Sequence, residues 1–82
     1  MHAMNEIERL SVSAHLVDAR GKACPMPIIE LARALRQWPE VELWADDPAA
    51  WGDLYAFAEA TGHLLLTPPQ PGRLLRALIR HK

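Results

Sequence analysis

Cys24 is the single cysteine of an 82-residue chain, and it stands in the run Gly21-Lys22-Ala23-Cys24-Pro25-Met26-Pro27. One thiol cannot form an internal disulfide, and the sequence has none of the paired Cys and His spacings of a zinc site. Exchange chemistry of the Cys-x-x-Cys type needs a resolving thiol, yet position 27 is proline. A hydrolytic cysteine needs a histidine base; of His2, His15, His63 and His81, two lie near the termini and no spacing pairs any of them with Cys24. A lone thiolate can still work across a protein–protein contact, taking up a sulfane sulfur as a persulfide and releasing it to another thiol. The plainer alternative, a free cysteine packed as a small hydrophobe, stays open at this point.

The residues after the cysteine define its setting. Proline is tolerated in the first turn of a helix because its missing amide would have had no intrahelical partner, so a helix is expected to begin at or just after Cys24. Helix N-termini favour negative charge, and cysteines there have lowered thiol pKa values. Pro25 and Pro27 remove two first-turn amides and leave Met26 and Ile28 as the nearby donors. The prolines are therefore expected to fix the backbone so that the sulfur projects outward, rather than to build an anion nest.

The elements around this segment follow from periodicity. Leu10, Val12, Ala14 and Leu16 alternate with Ser11, Ser13 and His15, which predicts a first strand with one buried face. Gly21 marks a turn. Ile28, Leu31, Ala32 and Leu35 share one face of the first helix, opposite Glu30, Arg33 and Arg36, and the helix should stop before Pro39. Val41, Leu43 and Ala45 alternate with Glu42, Trp44 and Asp46 in a second strand. Asp47 and Pro48 suit the N-cap and first position of a second helix, which carries Trp51, Leu54, Phe57 and Ala58 on one side and ends at Gly62. A short apolar run at 63–67, a proline-rich loop at 68–72 and a last segment at 73–82 complete the chain. Leu74, Leu75, Leu78 and Ile79 fit a helix by spacing, but a short third strand needs a partner, so the end is read as a strand. The order β-α-β-α-β-β predicts an α+β, two-layer α/β sandwich: a mixed four-stranded sheet with both helices on one face. Ser13, His15, Val17, Glu42 and Trp44 are then expected on the other, partly exposed face.

At this length one small core is the limit, so residues 1–82 are read as a single domain with a loose terminus at 1–9. Nine Lys and Arg against ten Asp and Glu argue against a broad nucleic-acid surface, although Arg73, Arg76, Arg80 and Lys82 make the end locally basic. No apolar stretch suits a membrane span or a secretory signal, and a lone cysteine suits a reducing compartment, by default the cytoplasm. No cofactor or metal is implied.

The stretch Asp18-Ala19-Arg20-Gly21-Lys22-Ala23-Cys24-Pro25-Met26-Pro27 resembles the signature of the TusA-like (SirA-like) sulfur-carrier family, Asp-x-x-Gly-x-x-Cys-Pro-x-Pro. Ala45-Asp46-Asp47-Pro48, Asp53-Leu54 with Phe57, and Leu78-Ile79-Arg80 extend the resemblance over roughly residues 12–81. It implies the same sandwich and a persulfide on Cys24, received from a cysteine desulfurase or a rhodanese-like donor. It also implies a downstream sulfur-acceptor protein in tRNA thiolation, molybdenum-cofactor maturation or sulfur oxidation, and a carrier rather than a self-sufficient enzyme. Gly21, Pro25, Met26, Pro27 and Asp46 would shape the site, Asp46 either beside the sulfur or simply in the turn. Ala23, Met26 and Gly52 depart from the basic, acidic and basic residues often found there, which bears on which partner docks. The competing readings are an adaptor or regulatory module with a packing cysteine, and a redox-sensing thiol.

Overall fold

The computed structural model describes residues 14–67 and 72–82. Its elements run β1 (His15–Asp18), α1 (Met26–Leu35), β2 (Glu40–Ala45), α2 (Ala50–Thr61), β3 (Leu64–Leu65) and β4 (Leu75–Arg80). The strands form one mixed sheet in the order β1-β2-β4-β3, with β1 parallel to β2 and β4 antiparallel to both β2 and β3. This is the expected two-layer α+β sandwich.

The core lies between the helices and one sheet face. Val17, Val41, Leu43, Ala45, Leu75, Ala77 and Ile79 meet Leu31 and Leu35 of α1 and Ala50 and Leu54 of α2, all buried. In α1 the buried positions are Pro27, Leu31 and Leu35, so the second proline of the Cys-Pro-x-Pro run also packs into the core. Gly62 closes α2 in the left-handed conformation (φ 80°), a geometry that a side chain would strain.

In the last segment tertiary context overrides helical spacing. Leu75, Ala77 and Ile79 alternate inward against Ala45, Leu43 and Val41 of β2. Leu78 pairs with Glu42 on the opposite face.

The face assigned to β1 is corrected. Val17 pairs with Leu43 and faces the core, and His15, paired with Val41, lies on that same face; Leu16 pairs with Glu42 and is exposed. A strand shifted by one residue turns every side chain over, and here the register is fixed by Ala19 N–H donating to the Trp44 carbonyl (2.8 Å). The alternation read from Leu10 and Val12 began outside the described residues, as do Ser13, the terminus at 1–9 and residues 68–71. Glu42 and Trp44 do lie on the open face, as expected. There the Trp44 ring sits between the Arg20 and Arg76 guanidinium groups, at 4.8 and 5.0 Å, and its Nε1–H donates to Glu42 (2.6 Å). His15 instead stacks on Trp38, with ring centroids 4.6 Å apart.

Candidate functional site

Because β1 and β2 are parallel, their C-terminal ends lie at the same end of the sheet, and the loops leaving them are neighbours. One loop carries Gly21 to Cys24 into α1; the other carries Asp46 and Asp47 into α2. The site is the meeting of these two loops.

Gly21 turns the first loop with φ 80°, and its amide donates to Asp46 Oδ1 (2.9 Å). Asp46 therefore holds the turn and is exposed. Asp47 does more: Oδ2 accepts the Cys24 amide (2.9 Å), while Oδ1 accepts the Ala49 amide (2.8 Å). These two amides hold the Asp47 carboxyl below the usual carboxylate range, that of Ala49 foremost. Asp47 caps the turn at Pro48–Ala49, and α2 begins later than expected, at Ala50 with Ala49 as its N-cap. One side chain thus ties the backbone of the cysteine to the entrance of the second helix.

Cys24 is exposed and free, just ahead of α1, and the Cys24–Pro25 peptide is cis. Its thiol donates to Asp53 Oδ2, from the first turn of α2. A carboxylate is well placed there, since the amide end of a helix favours negative charge. The resemblance includes both Asp47 and Asp53 without assigning either to the site, and local spacing makes Asp47 a helix cap. The signal that could have joined them is the parallel pairing of β1 and β2, which brings both helix starts together.

The contact with Asp53 works against the acidity that a helix start favours. The hydrogen bond to Asp53 holds the Cys24 thiol above its ordinary value; local desolvation, the Asp53 charge and the Asp47 charge add to it. Nor do free amides oppose this. Met26 N–H donates to the Ala23 carbonyl (2.9 Å), and Ile28 N–H to the Pro25 carbonyl (3.1 Å). The basic residues of the loop are also engaged elsewhere: Lys22 with Glu30 (2.7 Å) and Arg20 with Asp18 (2.7 Å). The sulfur faces carboxylates, which disfavour its thiolate form.

Around it, Pro25 is exposed, Pro27 is buried, and Met26 and Ile29 leave an apolar rim on the first turns of α1. No group of three or more His, Cys, Asp or Glu side chains suited to a metal occurs among the described residues. No helix among them is long and apolar enough to cross a membrane.

A two-layer fold of this kind is seen in the crystal structure of a SirA-like protein from Desulfitobacterium hafniense, which superposes with a TM-score of 0.67 at 23% identity, over 79% of this chain and 93% of that one. Residues 15–81 match the family model of sulfurtransferase TusA, and the chain belongs to that family. Relatives bearing sulfur-carrier names include YrkI of Bacillus subtilis, 35% identical over 83% of this chain and 95% of its own. A Neisseria meningitidis serogroup A protein is 31% identical over 87% of this chain and 100% of its own. YrkF of Bacillus subtilis is 35% identical over 79% of this chain, but the match spans only 37% of that longer protein.

Proposed function

We propose that this protein is a sulfur carrier that holds sulfane sulfur as a persulfide on Cys24 and relays it to a partner protein. The observation carrying this reading is an exposed, unpaired thiol held by its backbone amide where two helix starts meet, in a chain of the TusA family. The donor is a cysteine desulfurase or a rhodanese-like protein in the cytoplasm. The acceptor serves tRNA thiolation, molybdenum-cofactor maturation or sulfur oxidation.

Loading is a displacement without net oxidation. The Cys24 sulfur attacks the outer sulfur of the donor persulfide, so one S–S bond forms at Cys24 as the donor's S–S bond breaks. The donor cysteine leaves as a thiolate and takes up the proton that Cys24 gave away. Discharge repeats the step, with the acceptor thiol attacking the outer sulfur.

Intact-mass measurement after incubation with a cysteine desulfurase and cysteine tests the reading. The expected result is a gain of one sulfur atom on the wild type and none on Cys24→Ser. Failure of both desulfurase and rhodanese-like donors to load the wild type would favour the adaptor reading. A dimer removed by reductant would favour the redox-sensing one.

A further inference from the structure

The hydrogen bond from the Cys24 thiol to Asp53 points to a control on the site that the carrier reading does not require. We propose that Asp53 is a proton latch: its carboxylate keeps Cys24 in the unreactive thiol form while the protein is alone, and the nucleophile is released when that carboxylate is drawn away or neutralised. The proposal builds on the carrier reading, because it concerns the same sulfur.

Geometry isolates the pair. Asp53 Oδ2 accepts from Sγ, while Asp47 grips the backbone amide of the same residue and so fixes where the sulfur can point. From the first loop, Lys22 is bound to Glu30 of α1, and Arg20 is bound to Asp18 of β1. From the second loop, Asp46 is occupied by the Gly21 amide. The charges acting on the sulfur are thus the carboxylates of Asp53 and Asp47; among the described residues neither forms an ion pair, the cation at hand being Arg73, which lines a pocket with Asp46 and Asp47. A thiolate is the attacking species in sulfur transfer, and a carboxylate in hydrogen-bond contact opposes its formation.

The latch has a second consequence. A persulfide anion on Cys24 would face the same carboxylates, so the arrangement favours discharge over retention. A partner that brings a cationic side chain to Asp53 would relieve both effects at once and couple reactivity to docking. Exposed thiolates are also the form that oxidants attack, so a latched thiol is protected between encounters.

The rate of alkylation of the single cysteine by iodoacetamide, measured against pH, tests the latch. It needs no sulfur donor, so its outcome is independent of whether the protein carries sulfur. Asp53→Asn keeps the shape and removes the charge, and the midpoint of the profile is expected to move to lower pH. A fall of about one unit would raise the thiolate fraction about tenfold and lower its intrinsic nucleophilicity about threefold, for a net rise of about threefold at neutral pH. A midpoint that stays in place, or moves upward, overturns the proposal. If circular dichroism shows that Asp53→Asn does not fold, the wild type decides alone. Its native midpoint is expected above the midpoint of the same protein unfolded in urea, and a native value at or below the unfolded one overturns the latch.

Discussion

At Cys24 the side chain and the backbone answer to different carboxylates: Asp53 takes the thiol hydrogen bond and Asp47 takes the amide. The second interaction is the one on which the position of the sulfur rests. Asp47→Ala leaves the Cys24 and Ala49 amides without their acceptor, at a cost of about 1–2 kcal/mol by the usual worth of a capping or charge-assisted hydrogen bond. Urea unfolding should show that loss, and sulfur loading should slow because the sulfur is no longer held in one place. Gly21 is a milder test. A Cβ there meets nothing within 4 Å, so Gly21→Ala carries only the backbone penalty of φ 80°, about 1 kcal/mol, readable in the same unfolding experiment. The cysteine, the turn glycine and the proline-led helix start were legible in the sequence because each is a local feature with a local physical reason. Asp53 was not legible as a site residue. Its role depends on a contact across 29 positions that only the pairing of the strands brings about.

The strands and helices show the same division between local and tertiary causes. β2 could be read directly, because Val41, Leu43 and Ala45 alternate with polar or half-buried neighbours and all three are buried. The α1 face matches the periodicity at Leu31 and Leu35, which are buried, and at Ile28, which packs partly buried against the core, and Pro27 joins them. β1 was turned over, since its register is set by pairing with β2 and the described strand is only four residues long. β4 is the instructive case. Its spacing is helical, and it is a strand because β2 and β3 both need it as a partner. The two readings predict different truncations. A helix would bury Leu78 and Ile79 together, whereas the strand buries Ile79 fully and leaves Leu78 on the half-open face. Ile79→Ala should cost about 2–5 kcal/mol in urea unfolding, and Leu78→Ala clearly less. Equal losses at the two positions would contradict the strand.

At the scale of the whole molecule, the C-terminus returns to the far end of α2. His63 Nδ1 accepts the Lys82 amide (3.2 Å), and the His63 and His81 rings lie 4.5 Å apart. Desolvation, first, and the nearby His81 and Lys82 charges hold the His63 pKa below 6.5. The folded state therefore takes up this proton less readily than the unfolded chain. The contribution of His63 is fully present above the unfolded pKa and is lost as pH falls through it toward the lower folded value. Thermal unfolding followed from neutral to mildly acid pH should show a loss of stability that is smaller in His63→Gln. An identical pH dependence in the two proteins would show that His63 is not the cause. His63 follows the C-terminal end of α2, opposite the first turn that carries Asp53, so the variant should load sulfur normally.

In the proposed role, sulfur on Cys24 is in transit. The most direct measurement loads the protein with labelled sulfur from a cysteine desulfurase, removes the donor, adds a candidate acceptor protein without reductant, and follows the label on both chains by intact mass. The label is expected to leave Cys24 as an equal amount reaches the acceptor's thiol, and Cys24→Ser is expected to carry none at any stage. Label that loads on Cys24 but reaches no acceptor, or label on the Cys24→Ser protein, would contradict it.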